Sequence, residues 1–587
     1  MLAKLFDTVM MKETAFLFLA PLCLFAAPPK QPEYSSGYHP KSMAYGKSMM
    51  VVSANPLASE AGFAILKQGG NAIDAAIAMQ MVLNVVEPQS SGIGGGGFLL
   101  YYRKEDNSIC AYDGREIAPR AVHDLLFCDA KGEAIPFANA ILGGKAVGVP
   151  GLLKMLEQAH RDRGRLPWKE LFQSAIRHAD QGFPISYRLH QLIANRSDLS
   201  TFPEAGNYFF QKNGKPKPEG TLLKNSQLAE TLTMIANQGT DPFYKGDLAQ
   251  EIVKTVQKCG VNPGVLSYED LSGYYPIKRE PIQADYRHYR IVSFPPPSGG
   301  GIAVLQILGM LQHDDLKHEE AGSAAFIHLF SQASALAFTD RNYYVADPDF
   351  FPVPTDRLIH PAYLQQRGQS IDKEKASPAS HGTWPSQTIT CFPCVRPSCT
   401  HEYPSTSHLC VVDNEGNAVS MTTSIEHAFG STLMVRGFFL NNQLTDFSFI
   451  PEKEGKKAAN RVEPGKRPMS SMAPILVFHK DSGQLLLAIG SGGGAGIIDY
   501  TAQALLGIID FGLTIQEAID LPHVVATDTS TTLEEKTVLH KKRKQLEQMG
   551  HRIKEKSLNS GTHGIHAAST RLMGGADPRR EGKAIGQ

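Results

Sequence analysis

The sequence predicts a mixed α/β fold, because segments with helical periodicity occur together with short apolar runs that have the length of buried strands. Four such runs follow one another in the last third of the chain, and none alternates cleanly between apolar and polar residues. This lack of alternation is typical of sheets that are covered on both faces. The runs are residues 409–412, 418–422, 475–478 and 485–489.

Helical periodicity is clearest near the beginning of the chain. Apolar residues recur every three or four positions from Pro56, the pair Gly69-Gly70 interrupts the pattern, and it resumes over residues 72–86. Residues 152–316 are predicted to be mainly helical. Individual helices are predicted at residues 228–238, 248–258, 498–509 and 515–521.

A glycine-rich run, residues 91–98, connects the second of these helices to a strand-like run at residues 99–102. Phosphate-binding loops instead lead from a strand into a helix and carry a Gly-Lys-Ser/Thr sequence, which this run lacks. We therefore interpret the glycines as a site of close backbone packing and not as a nucleotide site.

Charge and cysteine content exclude several classes. Lys+Arg and Asp+Glu both number 58 in 587 residues, so no net charge indicates nucleic acid or an anionic membrane as a partner. Eight cysteines are too few for a disulfide scaffold at this length. Cys391, Cys394 and Cys399 lie near His401, but their spacing matches no zinc pattern, and a local disulfide is the alternative. We expect neither a metal nor a cofactor.

The N-terminus resembles a secretory signal. An apolar core at residues 15–27 follows Lys12 and is shorter than the ~20 residues of a membrane-spanning helix. We predict removal of residues 1–27 and export, to the periplasm or out of the cell, with no membrane span in the mature chain. A buried helix of the mature fold is the alternative.

The most informative stretch begins with the hydroxyl cluster Ser405-Thr406-Ser407, followed by His408. Two apolar runs separated by Asn414-Glu415-Gly416 come next and predict a β-hairpin. Taken alone, the hydroxyl cluster is typical of a loop that enters a strand.

Its surroundings give the stretch a second interpretation, because it resembles the start of the small subunit of the gamma-glutamyltransferases, a family of N-terminal nucleophile hydrolases. The similarity spans roughly Ser48 to Gln587. The motifs that carry it are Thr406-Ser407-His408, Gly430-Ser431, Asn441-Asn442-Gln443, Asp446-Phe447-Ser448, residues 466–472 and, earlier, Thr339-Asp340-Arg341.

The resemblance implies a four-layer α-β-β-α sandwich that matures from one precursor. The chain is expected to cut itself between Ser405 and Thr406, which gives a heterodimer of a large subunit, residues 28–405, and a small catalytic subunit, residues 406–587. Residues 374–405, rich in Pro, Ser and Thr, form the mobile tail before the cut. Thr406 becomes the nucleophile, because its new α-amine, with an unperturbed pKa near ~8, can take the hydroxyl proton, whereas an amide cannot.

The resemblance also implies a role for each remaining site residue. A γ-glutamyl donor presents an α-carboxylate, an α-ammonium and a γ-amide carbonyl. The matching residues are Arg115, Ser470 and Ser471 for the carboxylate, Gln443 and Asp446 for the ammonium, Gly493 and Gly494 for the oxyanion at the carbonyl, and Ser424 for the Thr406 hydroxyl.

Several positions depart from the family's usual pattern. Ser424 stands where threonine is frequent, Glu426 where asparagine is frequent, and Gly492 where proline is usual. Glu426 would strengthen an ammonium site or repel a donor that lacks the ammonium. Residues 446–466 are short for a lid and contain no tyrosine, which predicts an open site.

We therefore predict a secreted, self-processing gamma-glutamyl hydrolase and transferase that acts on glutathione or related compounds and transfers the γ-glutamyl group to water, an amino acid or a peptide. The nearest alternative is an acylase of the same fold for glutaryl or cephalosporin-type side chains, or a polyglutamate-cutting relative. An unprocessed paralogue that binds amino acids or peptides without turnover is the alternative from another class.

Overall fold

The structure is a computed structural model that describes residues 35–383, 395–398, 402–527 and 530–587. The predicted signal peptide and the cluster of Cys391, Cys394 and Cys399 lie outside these ranges, as does part of the predicted tail. Within the described ranges, no helix has both the length and the apolar character needed to cross a membrane.

The strands of the described residues are short. In chain order they are β1 (Ala44–Gly46), β2 (Met50–Ser53), β3 (Gly96–Arg103), β4 (Ser108–Asp113), β5 (Phe183–Pro184), β6 (Leu222–Leu223), β7 (Ile277–Arg279), β8 (Ile282–Tyr286), β9 (Tyr289–Ser293), β10 (Val395–Arg396), β11 (Ser407–Val412), β12 (Ala418–Ser424), β13 (Met434–Val435), β14 (Phe438–Phe439), β15 (Glu452–Lys453), β16 (Lys456–Ala458), β17 (Ile475–His479), β18 (Leu485–Gly490), β19 (Val524–Val525), β20 (Thr531–Glu534), β21 (Ile553–Lys556), β22 (His563–Ala568), β23 (Arg571–Ala576) and β24 (Lys583–Gly586).

The helices of the same residues include all those that periodicity predicted. In chain order they are α1 (Pro56–Lys67), α2 (Ala72–Val86), α3 (Phe137–Ala140), α4 (Leu152–Arg163), α5 (Gln173–Gln181), α6 (Tyr187–Ala194), α7 (Pro203–Phe209), α8 (Ser226–Gln238), α9 (Asp241–Tyr244), α10 (Asp247–Gln257), α11 (Tyr268–Ser272), α12 (Gly299–Met310), α13 (Ala324–Tyr344), α14 (Thr355–Leu358), α15 (Pro361–Gln369), α16 (Ile497–Ile509), α17 (Ile515–Asp520) and α18 (Arg543–Gln548).

Two seven-stranded sheets form the centre of the molecule. Sheet I has the order β24-β2-β11-β12-β3-β4-β7, and sheet II has the order β1-β23-β22-β18-β17-β9-β8. Side chains of sheet I alternate between two cores: Val51 and Val411 pack with helices α1 and α2, whereas Val52 and Val412 lie in the core shared with sheet II. Helices α12, α16 and α17 pack on sheet II. The predicted four-layer α-β-β-α sandwich is confirmed.

The glycine run before β3 joins the layers through close backbone contacts, as predicted. A Cβ on Gly94 would lie 2.0 Å from the carbonyl oxygen of Phe439, and one on Gly95 would lie 2.2 Å from that of Ser424. Only glycine permits this approach. The run therefore fixes the end of β12, where Ser424 lies.

The region predicted to be mainly helical, residues 152–316, contains helices α4 to α12 as predicted, but also strands β7, β8 and β9, which were not predicted individually. The three strands are short, β7 and β8 are partly exposed, and β7 and β8 lie at sheet edges. An edge strand carries charged residues and a weak apolar pattern, so its periodicity gives little signal.

The Ser420 hydroxyl links the two sheets, and its loss is expected to destabilise the fold. Its Oγ donates to the Ile489 carbonyl at 3.0 Å and accepts from the Ile475 amide at 3.2 Å. Because Ser420→Ala leaves buried groups unpaired, we expect a loss of about 1–3 kcal/mol, measured by urea unfolding in an uncut Thr406→Ala background. Exposed Ser482→Ala is the control, and equal midpoints for the two variants would contradict the assignment.

Candidate active site

Thr406 and Ser424 lie opposite each other at one end of sheet I. Thr406 directly precedes β11, Ser424 ends β12, and the register pairs Ser407 with Thr423. In the uncut chain Thr406 Oγ1 donates to the Ser405 carbonyl oxygen at 2.5 Å and lies 3.3 Å from Ser424 Oγ. Ser424 Oγ donates to the same carbonyl at 3.0 Å. Both hydroxyls therefore converge on the carbonyl of the peptide bond that was predicted to be cut.

Contacts on both sides fix the position of this bond. Ser405 Oγ donates to the Gln89 carbonyl at 2.8 Å, and Arg580 Nη1 donates to the Thr406 carbonyl at 2.7 Å. Ser405 and Thr406 are both buried. Arg580 was not predicted as a site residue.

The predicted oxyanion glycines lie in a backbone conformation that favours glycine. Gly493 has a φ of +128° and Gly494 a φ of +59°, both in the left-handed region. A Cβ on Gly494 would lie 2.5 Å from the carbonyl carbon of Tyr403, just before the cut. The two glycines begin the 3-10 turn that leads into α16, so they lie on the N-terminal side of that helix, where its dipole is positive. This location suits a developing negative charge.

Arg115 and Asp446 form a buried ion pair beside Thr406. Arg115 Nη2 donates to Asp446 Oδ2 at 2.5 Å and to the Met469 carbonyl at 2.9 Å. Gln443 Nε2 donates to the same Asp446 oxygen at 2.7 Å. Among the described residues, Arg115 Nη1 makes no hydrogen bond and lies 3.5 Å from Glu116 Oε2. It retains donor capacity for a ligand.

Glu426 adds a second buried carboxylate to this region. Its backbone φ of +73° is uncommon for a residue other than glycine and is typical of strained functional positions. Neither of its carboxylate oxygens has a hydrogen-bond partner in the described part of the chain. Burial, and then the Asp446 charge, raise the pKa of Glu426 well above its usual value. Burial, opposed by Arg115, raises the pKa of Asp446 to about 6. A partly ionised carboxylate pair suits an ammonium group.

The predicted serine pair contacts a carboxylate of the chain itself. Ser471 donates its backbone N–H to Glu402 Oε2 at 2.9 Å, and Ser471 Oγ accepts from Arg341 Nη2 at 3.0 Å. Arg341 also forms a buried ion pair with Glu402. The Ser470 hydroxyl accepts from the Met472 amide at 3.2 Å. Neither Arg341 nor Glu402 was predicted as a site residue, although Thr339-Asp340-Arg341 was among the motifs that carry the resemblance.

A narrow cavity brings the predicted residues together. The centre of a water molecule can occupy about 20 Å³ of this cavity, which is enough for roughly one water. Arg115, Ser471 and Gly493 lie behind the lining, in contact with it or adjacent to it in the chain. The predicted residues that line it are Ser405, Thr406, Ser424, Glu426, Gln443, Asp446, Ser470 and Gly494.

The stretch predicted to be too short for a lid forms a small hairpin, β15 and β16. Its aromatic residues Phe447 and Phe449 are buried, and Phe449 stacks on Phe127 with ring centroids 4.5 Å apart. These side chains belong to a core cluster and do not line the cavity. An open site in the mature protein stays a prediction.

Comparisons with known proteins agree with this geometry. The profile of the family described as gamma-glutamyltranspeptidase matches residues 58–587. A glutathione hydrolase proenzyme of Bacillus subtilis (strain 168) is 38% identical over 570 residues, which cover 96% of this chain and 95% of the relative. Among solved structures, a cephalosporin acylase from Bacillus halodurans superposes with a TM-score of 0.81 at 28% identity, covering 93% of this chain and 97% of the other. The Helicobacter pylori gamma-glutamyltranspeptidase superposes with a TM-score of 0.56 at 34% identity, covering 60% and 99%.

The sandwich and the arrangement around Thr406 thus define an N-terminal nucleophile hydrolase. Within this class, the family is identified by the profile match across residues 58–587 and by the nearly full-length similarity to the Bacillus relative. The chain belongs to the gamma-glutamyltranspeptidase family. The predicted kind of enzyme, a gamma-glutamyl hydrolase and transferase made as a proenzyme, is confirmed.

The Ser424 hydroxyl is expected to accelerate cleavage of the Ser405–Thr406 bond. Ser424→Ala removes a donor to the Ser405 carbonyl, and the loss of one such donor lowers rates on the order of 10²–10³ in a studied protease. We expect slower appearance of two chains, followed by gel electrophoresis after synthesis. Thr423→Val removes the neighbouring hydroxyl, which bonds Gln80 on the other face, and is the control. Equal cleavage rates for the two variants would refute this role.

Proposed function

We propose that the chain cuts itself between Ser405 and Thr406 and then uses Thr406 to transfer γ-glutamyl groups. The observation that carries this proposal is the convergence of the Thr406 and Ser424 hydroxyls on the Ser405 carbonyl oxygen, at 2.5 and 3.0 Å. A carbonyl that accepts two hydrogen bonds is polarised, and the hydroxyl of the next residue, Thr406, already lies beside it and can attack it.

Self-cleavage would proceed through an ester. Thr406 Oγ attacks the Ser405 carbonyl carbon, and the C–N bond breaks as the Thr406 nitrogen takes up a proton and becomes an amine. Water then hydrolyses the ester, which leaves a carboxylate on Ser405 and restores the Thr406 hydroxyl. The Ser424 hydroxyl, 3.0 Å from the carbonyl oxygen, stabilises the negative charge that develops there.

In turnover, the new α-amine of Thr406 takes the proton of its own hydroxyl as Oγ attacks the γ-carbonyl of the donor. Backbone N–H groups of Gly493 and Gly494 hold the oxyanion, and Ser424 orients the nucleophile. The leaving amine departs with a proton and a γ-glutamyl ester forms on Thr406. Water, an amino acid or a peptide then attacks the ester and releases the product.

Donor recognition follows from the charges around the cavity. Asp446, with Gln443 and Glu426, faces the α-ammonium, and buried charges need an opposite partner. Arg115, through Nη1, which makes no hydrogen bond within the described residues, acts with Ser470 and Ser471 on the α-carboxylate.

The Bacillus relative is named a glutathione hydrolase, and glutathione is the donor we propose. A second candidate for the donor is a glutaryl-type acyl compound without the ammonium, because one of the similar solved structures is named a cephalosporin acylase. The buried carboxyl group of Glu426, whose oxygens make no hydrogen bond within the described residues, favours the γ-glutamyl donor, because the donor's ammonium would supply hydrogen bonds that a glutaryl-type donor lacks.

We further propose that residues 28–405 and 406–587 remain together as a heterodimer, and that removal of residues 1–27 accompanies export. Support for export is the apolar segment at residues 15–27 that follows Lys12. N-terminal sequencing of the large chain from intact cells and from the exported fraction tests this point.

Intact mass and N-terminal sequencing of the purified protein test the nucleophile. We expect two chains, the smaller beginning Thr-Ser-His and containing residues 406–587, together with hydrolysis of a γ-glutamyl anilide. Thr406→Ala should give one uncut, inactive chain, because it lacks the attacking hydroxyl. Thr406→Ser keeps a hydroxyl and should still cut, at a reduced rate. If Thr406→Ala still splits or turns over, another residue is the nucleophile.

Asp446 is expected to make recognition of the donor's ammonium depend on pH. In the uncut chain, burial, opposed by Arg115 and aided by the Glu402 charge, raises the pKa of Asp446 to about 6; at or below this pH the carboxyl becomes neutral and loses its attraction for the ammonium. Inhibition constants of glutamate and glutarate, which differ only in the ammonium, should therefore diverge above pH 6 and converge below it. The ratio cancels the titration of the Thr406 amine. A ratio that stays constant from pH 5 to pH 8 would exclude Asp446 as the counter-ion.

A further inference from the structure

Arg341 lies at the inner end of the site and binds a carboxylate there. It belongs to α13, is only 2% exposed, and its Nη2 contacts both Ser471 Oγ, at 3.0 Å, and Glu402. Its Nη1 donates to Asn342 Oδ1 at 3.0 Å. A Cβ on Gly299 would lie 2.9 Å from Arg341 Cγ and Nε, so the glycine leaves room for the side chain in this position. The guanidinium is thereby held against Ser471 and Glu402, of which Glu402 lines the cavity.

Glu402 is bound as a free carboxylate would be. One of its oxygens pairs with Arg341 and the other accepts the Ser471 backbone N–H at 2.9 Å. A guanidinium together with a backbone N–H is a complete set of donors for a carboxylate. Glu402 also lines the cavity, and its charge adds to burial in raising the pKa of Asp446, against Arg115. The carboxylate therefore lies within the site.

Glu402 is tethered in this position while the chain is uncut. It precedes Thr406 by four residues, and Ser405 is anchored to Gln89, so the carboxylate is tethered next to Arg341 at a high effective concentration. Cleavage makes Ser405 a chain end and removes the tether on the Thr406 side. If Glu402 then leaves, Arg341 becomes a buried charge without a partner, which is costly. A ligand carboxylate at the same place would restore the ion pair.

We propose that Arg341 is a second carboxylate-binding residue of the mature site, and that Glu402 takes the place of the donor's α-carboxylate in the uncut chain. This inference rests on the proposed γ-glutamyl transfer. The donor's α-carboxylate would accept from the Arg341 guanidinium and the Ser471 N–H. Arg115, already paired with Asp446, would contact it from the other side.

The test compares ligands with and without the α-carboxylate. L-glutamate and 4-aminobutyrate both carry the ammonium, but only glutamate carries the α-carboxylate, and each is measured as a competitive inhibitor of γ-glutamyl anilide hydrolysis. In Arg341→Gln, we expect the preference for glutamate to fall at least about tenfold, because a charge-assisted pair is lost. The KM of the anilide should rise by a similar factor, with kcat changed less than about threefold.

Arg279→Gln is the matched control. Arg279 is also a mostly buried arginine, paired with Asp113 at 2.7 Å and with Asp349 at 3.0 Å, whereas Arg341 contacts Ser471 and Glu402. The loss of Arg279 should lower stability without changing the glutamate preference. A fall of the preference in Arg279→Gln equal to that in Arg341→Gln would show a general structural effect and overturn the proposal.

If Arg341→Gln stays uncut and cannot be assayed, Arg341→Lys provides a second test of the same preference. Lysine retains the charge but not the planar fork, so the glutamate preference should fall about threefold or more. An unchanged preference in the variant that matures would overturn the assignment of Arg341. Failure of the wild-type enzyme to hydrolyse the anilide would instead contradict the proposed function, so the two failures are distinguishable.

Discussion

The carbonyl of Ser405 is the point on which the rest of the site depends. It is buried where two central strands begin and end, and it accepts hydrogen bonds from the hydroxyls of Thr406 and Ser424. Both sheets contribute to this geometry: sheet I places Thr406 opposite Ser424, and β18 of sheet II leads into the glycines that lie against residue Tyr403. A buried carbonyl with this many donors requires a scaffold that is covered on both faces.

Around this carbonyl the molecule buries an unusual amount of charge. Arg115, Asp446, Glu426 and Arg341 are all almost fully buried, a condition that proteins tolerate when each charge has a partner or changes its protonation. The raised pKa values of Asp446 and Glu426 and the strained backbone of Glu426 show that the site is not optimised for stability alone. These features are what a ligand with one cation and one carboxylate would relieve.

The helices, the central strands and most of the residues that line the cavity were predictable, because periodicity is strong in buried elements and the motifs around Thr406 are specific in combination. The edge strands β7 and β8 were not, since exposed strands carry little apolar pattern. Arg341, Glu402 and Arg580 were missed for another reason. Arg341 and Arg580 lie far from Thr406 in the sequence, and Glu402, although close to Thr406, belongs to no local pattern. Only the fold brings Arg341, in α13, beside Ser471.

The strand order of the two sheets has a consequence for the subunits that cleavage would produce. In sheet I, strands β24, β11 and β12 come from after the cut and are interleaved with β2 and β3 from before it; in sheet II, β1 and β9 flank strands from after the cut. Neither subunit contains an intact sheet, so the two subunits cannot separate without breaking the hydrogen bonds between their strands. The two subunits of the cleaved protein are therefore expected to stay associated, because strands of both alternate within the same sheets.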